Sequence, residues 1–591
     1  MKLNKYISEL KRRNVFKAAL AYLIMAWLVI QVSAIILSGF DAPAYVFKII
    51  VFVIAIVFPF WLVFAWVYEI TPEGLKKTED VDQKASITHH TKRRLNKVII
   101  ACLLLVIIFL LFNQSWISSL KNVNANYSMA NKNAEKSIVV LPFLNLSNNG
   151  NQEFLADGIT EAINLELAKS DSLRVISRTS SMNYKGKKKL MPEIAKELKV
   201  DYLLEGSVLY DEDSIRITVQ LIKPFPKEKH IWSNSYNERF ENTIQLIENV
   251  SSEIANGINK VVLPNKLKPK KYKVDAKAYD LFLRGRYLMN QETYKSISSS
   301  IEYFKKSIKL DSSYAPVYAS LADAYISLNK FNTDVSTKKI NTKKGREAVN
   351  KALSLDNTLG AAYITRGKIV GKSDWNWDEM KKMAEKGLEL NPNNSIGHML
   401  LSDYYLIKHK YNKAIDEALF AEKLDPLNPV IGTLVAECYY IKNDYEKSIK
   451  QYEKVLELFP DYGFAWDGLG YVQYITGKDV AAINSWKRLQ EIMGNESMAI
   501  NFGFSSSIEQ SFRFWLSSVK SESSHYVSNP TVIAQIQMFL NEKEEALDYL
   551  EIAYKKHDDD LPLVLLRPHF SPLHNDPRFK DLVKKTGVII K

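Results

Sequence analysis

Leu390-Asn391-Pro392, Leu424-Asp425-Pro426 and Leu458-Phe459-Pro460 stand 34 residues apart. Proline ends a helix because it lacks an N–H and its ring strikes the preceding turn. A stop recurring at a fixed period predicts a stack of like units, each too small to bury its apolar face alone and completed by its neighbours. Other residues keep the period. Trp466-x-x-Leu469-Gly470 is followed by Ala482, and Tyr318-x-x-Leu321-Ala322-x-x-Tyr325 repeats the pattern. Leu401-Ser402-x-x-Tyr405 with Ala414 and Ala421, and Val435-Ala436-x-x-Tyr439, do the same. Small residues let two helices approach closely and aromatic rings fill the gaps between them.

The pattern resembles the tetratricopeptide repeat, a helix–turn–helix of 34 residues that stacks into an all-α solenoid. Six units are expected at 276–311, 315–356, 360–392, 395–426, 429–460 and 463–496, the second with an insertion of about eleven residues near Val335–Gly345. Residues 497–527 read as degenerate and 528–558 as one more pair, so the solenoid covers 276–560. The tail 561–591 reads as a C-terminal cap sealing the last pair. Such a resemblance implies a binding surface rather than a reaction. It also implies a groove lined by the first helix of each unit, here Met399, Asp403 and Leu406, then Thr433, Glu437 and Tyr440, then Asp467, Tyr471 and Tyr474. That stripe of acids and aromatics suits an extended peptide with basic and apolar side chains; the alternative is ordinary helix surface.

The 591 residues leave room for three or four domains, and an apolar content of 47% supports packed cores. The net charge of +13 is uneven. Residues 1–97 hold 14 Lys and Arg against 7 Asp and Glu, whereas the other 494 hold 65 against 59. Excess positive charge beside apolar runs indicates membrane-flanking segments and not a nucleic-acid groove. Three spans are expected, at about 18–38, 49–68 and 98–117, after a basic leader at 1–17. The segments before the first span, between the first two and between the last two hold six, one and seven Lys and Arg. The N-terminus and the loop 69–97 are therefore expected in the cytoplasm, and residues beyond about 118 outside it. If the third run does not span, the whole C-terminal body lies in the cytoplasm instead. Cys102 and Cys438, one in an apolar run and one in the repeats, predict neither a disulfide nor a zinc site.

Beyond an Asn-rich linker at 118–136, strands are expected at Ser137–Phe143, Leu173–Ser177, Tyr202–Val208, Ser214–Lys223 and His230–Tyr236. Helices are expected at Phe154–Lys169, Met191–Lys199 and Ile244–Val262. The order βαβαβββα predicts a small α/β domain at 137–263, joined to the repeats by a basic linker at 264–275. Seven blocks carry a resemblance here. They are Ser137-Ile-Val-Val-Leu-Pro-Phe, Phe154-Leu-Ala-Asp-Gly-Ile, Arg174-Val-Ile-Ser-Arg-Thr-Ser-Ser, Tyr184-Lys-Gly-Lys, Ile194-Ala-Lys-Glu-Leu, Leu204-Glu-Gly-Ser-Val and Arg216-Ile-Thr-Val-Gln-Leu-Ile. Together they resemble the TolB-like amino-terminal domain that accompanies tetratricopeptide repeats in bacterial membrane proteins. The resemblance implies an extracytoplasmic interaction domain. Relatives often place a cyclase or winged-helix domain ahead of the membrane; about 17 residues before the first span and a loop of about 29 leave no room for one.

No nucleotide loop, dinucleotide fingerprint or zincin motif is present. His569, His574 and Asp576 have a loose metal-like spacing but fall in the cap, and His89-His90 sit in the basic loop. The expectation is a non-catalytic protein of the bacterial inner membrane that binds a protein or peptide, with no cofactor, metal or nucleic acid, and with self-association left open. The rival is a receptor that recruits a separate cyclase or transcription factor through its cytoplasmic loop.

Overall fold

The computed structural model describes residues 136–147, 152–211, 214–239, 274–331, 334–504, 507–521 and 529–590, with 68–71, 74–77, 249, 250, 253 and helical positions scattered through 15–61. The chain divides into Met1–Ala134 and Glu135–Lys591.

In the first unit the described positions between 15 and 33 and between 50 and 61 are helical. The two stretches touch: Tyr22 Oη donates to the Ile54 carbonyl at 2.6 Å, and its ring lies 5.3 Å from Phe58. Leu23, Trp27, Phe52, Ile56 and Phe60 point outward, Phe60 with 69% of its surface exposed. Among the described residues no helix is long and apolar enough to cross a membrane. The third expected span, 98–117, lies outside the described residues. Tyr68, expected to end the second span, instead begins an antiparallel hairpin of β1 (Tyr68–Thr71) and β2 (Gly74–Lys77).

The second unit opens with a six-stranded sheet. Its strands are β3 (Lys136–Val140), β4 (Leu144–Asn145), β5 (Leu173–Val175), β6 (Tyr202–Asp211), β7 (Ser214–Lys223) and β8 (Lys229–Arg239). The order is β5-β3-β6-β7-β8, with β4 beside β6; β5, β3 and β6 run parallel, and β6, β7 and β8 antiparallel. A parallel sheet is covered on both faces, which is why Ile138, Val139 and Val140 are all apolar and all fully buried. Ile138 and Val140 face α1 (Glu153–Leu167), packing with Ile159 and Ile163. Val139 faces the other way, toward Ile194 and Leu198 of α3 (Met191–Leu198). Between them the short α2 (Arg178–Met182) is capped by Ser177, whose side chain accepts from Ser180 N–H; sequence periodicity is too short-sighted to find five residues of helix. In β7 the alternation is direct: Ile215, Ile217, Val219 and Leu221 are buried and Arg216 is exposed. Of the expected closing helix only 249, 250 and 253 are described; they are helical, and Val250 is fully buried.

The repeats follow as antiparallel pairs: α4 (Ala276–Met289) with α5 (Tyr294–Leu310), α6 (Ala315–Ser327) with α7 (Val335–Leu355), α8 (Gly360–Lys368) with α9 (Trp377–Leu390), α10 (Ser395–Ile407) with α11 (Tyr411–Leu424), α12 (Pro429–Ile441) with α13 (Tyr445–Leu458), and α14 (Gly463–Ile475) with α15 (Asp479–Ile492). The 34-residue period is written in the backbone as well as the side chains. Trp375, His409, Asn443 and Gly477 each take a left-handed conformation, with φ of 49°, 56°, 66° and 72°, where the first helix of a pair turns into the second. Close approach needs glycine in the sixth pair: a Cβ on Gly470 would lie 2.6 Å from the indole of Trp486.

Two features depart from expectation. Residues 497–521, read as degenerate, form a further pair, α16 (Glu496–Phe504) and α17 (Ile508–Ser521). Phe502, Phe512 and Trp515 hold it against Trp486 with ring centroids 5.1–6.4 Å apart. The tail also does more than seal the last pair. Beyond the expected pair of α18 (Pro530–Phe539) and α19 (Lys543–Lys556), α20 (Leu561–Val564), the 3-10 turn Pro568–Leu573 and α21 (Pro577–Thr586) reach back to the middle repeats.

Candidate functional site

Successive first helices pack on one another, α8 on α10, α10 on α12 and α12 on α14, and so line the inner side of the curve. The nine expected groove residues stand on α10, α12 and α14. Several of them meet the chain's own C-terminal segment.

Leu406 is fully buried and shares one apolar core with Leu561, Leu565, Phe570 and Phe579. Tyr440, also fully buried, hydrogen-bonds to His569 Nδ1 at 2.8 Å. Glu437 accepts from Arg567 Nε at 2.7 Å and from the Tyr452 hydroxyl at 3.1 Å. Arg567 lies over the ring of the buried Tyr471, 5.3 Å from its centroid, and its guanidinium also reaches the Gln535 side chain. Asp467 accepts from Trp486 Nε1 at 3.3 Å, inside its own repeat. Tyr474 donates to the Phe539 carbonyl at 3.4 Å. Farther along, Trp377 Nε1 donates to the Thr586 carbonyl at 2.7 Å and Ile589 N–H to the Ile407 carbonyl at 2.9 Å. The expectation of an open groove at Leu406, Tyr440 and Tyr471 is corrected: these side chains have no surface left for a partner. Met399, Asp403, Thr433, Glu437 and Tyr474 are half-buried.

The electrostatics follow from this filling. Burial works against the charge of Arg567, but Glu437 and the flanking tyrosine hydroxyls overcome it and raise the pKa. Burial and the nearby Arg567 charge push His569 well below its ordinary value, so the imidazole is neutral. This histidine is a core residue; among the described residues no His/Cys/Asp/Glu cluster of metal-binding size occurs. Asp403 is different. Burial raises its pKa to about 6, with Lys372 pulling it down and Asp560 pushing it up. Asp558 is likewise raised to about 6 by burial and Asp560, and Asp559 is raised by burial.

A carboxyl with a folded pKa of about 6 holds its proton in the native state where the unfolded chain has already released it. Stability therefore rises as pH falls through 6, and the charged form is a cost above it. Asp403→Asn is expected to stabilise the protein by about 1–2 kcal/mol at neutral pH and to have little effect below the ordinary carboxylate range. Urea unfolding of both proteins at the two pH values checks the sign; equal stability at neutral pH would show that the Asp403 charge is well solvated.

The repeats also hold the α/β domain, in two places. At one, α1 lies on α4: Leu283 packs over Gly158, Arg284 stacks 4.0 Å above the Phe154 ring, and Glu161 pairs with Arg286. At the other, Asn393 enters the sheet edge. Its Oδ1 accepts from Val175 N–H at 2.8 Å, and its amide donates to the carbonyls of Ala168, Ser170 and Leu173 at 2.8–3.1 Å. One repeat on, Leu427 occupies the equivalent position and packs on the core beneath α3. Ser180 Oγ bridges to Asp425 at 2.6 Å, and Ser177 N–H donates to the Leu424 carbonyl at 2.7 Å. The Leu-x-Pro turns that mark the repeat are thus also the domain's docking points. A single sequence gives no sign of this, because the partners lie more than 200 residues apart.

Comparison with known proteins agrees with the two-part build. Residues 134–253 match the model for the second domain of HilA/YgeH-like transcriptional regulators, and residues 433–462 match a tetratricopeptide-repeat model. The chain combines tetratricopeptide repeats with a HilA-like regulator domain. It is 35% identical over 191 residues to "Putative adenylate cyclase 3" of Rhizobium meliloti (strain 1021), an alignment covering 32% of each protein. The chain thus spans about a third of the length of that relative. Solved structures similar in part include YrrB, described as a TPR protein with an unusual peptide-binding site (19% identical, TM-score 0.26, covering 34% of this chain and 96% of that one). Another is PilF of Pseudomonas aeruginosa (15% identical, TM-score 0.27, covering 38% and 89%).

Proposed function

We propose that the chain is a non-catalytic protein–protein interaction scaffold or sensory subunit of a bacterial inner membrane. Its N-terminus lies in the cytoplasm and residues beyond about 118 in the periplasm, and its α/β region serves as a TolB-like interaction domain. The observation that carries the binding role is the solenoid of helix pairs, an architecture that presents an extended surface. Outward-facing Phe52 and Phe60 and the six, one, seven distribution of Lys and Arg support the anchored arrangement. A partner peptide lies along Met399, Asp403 and Thr433, the half-buried part of the inner face, beside the C-terminal segment.

Photo-crosslinkers at Met399 and at Thr433, in cells making the full chain, are expected to trap the same protein. Adducts from neither position would overturn the groove assignment. Alkaline phosphatase fused after residue 130 is expected to be active; an inactive fusion would place the C-terminal body in the cytoplasm.

A second reading has its own support in the names of the relatives, one a putative cyclase and one a transcriptional regulator. There the chain is a receptor that recruits a separate cyclase or transcription factor through residues 69–97. Crosslinks from that loop to such a protein would favour this reading over the scaffold.

A further inference from the structure

α7 is longer than its counterparts. It has 21 residues where α9, α11, α13 and α15 have 14, and the surplus is two turns at its N-terminal end. α7 carries six basic residues and one acidic one. Three of the basic ones have identified roles: Arg346 pairs with Asp374 at 2.9 Å, Lys344 sits 5.7 Å from the centre of the Tyr325 ring, and the charge of Lys338 acts on Asp558 and Asp559. Lys339, Lys343 and Lys351 are exposed, and among the described residues no carboxylate lies within ion-pair distance of them. Between Lys339 and Lys343 stands Ile340, 54% exposed.

Next to this end of α7 is an aromatic corner. Phe331 and Tyr294 are 40% and 55% exposed and meet edge-on with centroids 6.2 Å apart. Lys330 lies over the Phe331 ring, and Lys295 is exposed beside Tyr294. Asn329 ties the corner to α7, donating to Thr342 Oγ1 and accepting from Asn341 Nδ2, both at 3.1 Å. The carboxylates near this end of α7 are engaged: Glu292 with Lys330 at 3.2 Å, Asp323 with Lys368 at 3.0 Å, Asp334 as the cap of α7, and Asp558 and Asp559 with the charge of Lys338.

We propose that this corner, the two extra N-terminal turns of α7 with Tyr294 and Phe331, docks on an anionic lipid bilayer. The lysines complement the headgroup charge. Ile340 and the two rings need an apolar boundary to enter, which a bilayer supplies at the headgroup–acyl junction. A nucleic acid would satisfy the lysines and leave Ile340 in water. The inference goes beyond the scaffold reading and does not depend on which protein the inner face holds.

The test uses the full chain with Cys102→Ser and Ile340→Cys, labelled with an environment-sensitive fluorophore; Cys438 is buried and its thiol is held protonated by burial. The protein is placed with vesicles of phosphatidylcholine alone or of equimolar phosphatidylcholine and phosphatidylglycerol. Emission is expected to shift to the blue, and to be shielded from an aqueous quencher, only with phosphatidylglycerol. Lys339→Gln with Lys343→Gln should lower the ratio of shielded to open probe by roughly 30-fold, from the attraction each lysine contributes at such a surface. Both lysines are exposed, so folding is not at stake. Identical emission in the two lipids, or a shift that survives the double substitution, overturns the proposal; so does a shift produced by an oligonucleotide and not by the vesicles. Anchoring is read separately, from whether alkaline carbonate releases the whole chain.

Discussion

Replacing Arg567 by alanine is expected to destabilise the protein by about 3–5 kcal/mol, the usual consequence of removing one partner from a buried ion pair. The guanidinium bridges the C-terminal segment to α12 through Glu437 and covers the ring of Tyr471 on α14. Without it the Glu437 carboxylate stays enclosed, with only the Tyr452 hydroxyl to stabilise its charge. The double variant Arg567→Met with Glu437→Leu should recover most of the loss, because two apolar side chains leave no orphaned charge. Urea unfolding of the three proteins measures this. A single variant that loses less than about 1 kcal/mol would mean the pair is solvated and worth no more than a surface bridge.

The second large effect is at Asn393. Alanine there leaves the Val175 N–H and the carbonyls of Ala168, Ser170 and Leu173 without the partner that joins the sheet edge to the solenoid. Each buried polar group left unsatisfied costs about 1–3 kcal/mol, and partial repair by water should keep the total near 3. A local readout separates this from general loosening: hydrogen exchange at the Val175 amide should rise far more than at Ile217 in β7. Equal changes at the two amides would show that Asn393 supports the fold as a whole and not this joint.

How much of this was legible beforehand depended on how far apart the interacting residues stand. β7 could be bounded from its own alternation, since Ile215, Ile217, Val219 and Leu221 repeat every second residue. The ends of α9, α11 and α13 could be placed from the Leu-x-Pro stops. α16 and α17 could be read only as a degenerate part of the solenoid because their stretch lacks a proline stop and the spacing of small residues, leaving the aromatic spacing of Phe512 and Trp515 as a signal. The burial of Leu406, Tyr440 and Tyr471 among the groove positions could not be read, because residues such as Glu437 and Arg567 that meet there are 130 apart. The role of Asn393 leaves no signal in the sequence for the same reason.

The return of the tail to the inner face bears on how the chain folds. Stacked repeats ordinarily form and melt piecemeal, each unit depending only on its neighbours. Here Trp377 is held by Thr586 and Tyr440 by His569, so middle repeats are closed by residues synthesised 209 and 129 positions later. Contacts of such long range slow the search for the native state. Until that downstream stretch leaves the ribosome, Leu406, Tyr440 and Tyr471 face water on a nascent chain, a surface suited to a chaperone. Once closed, the middle repeats and the tail should melt as one cooperative block instead of fraying from the ends.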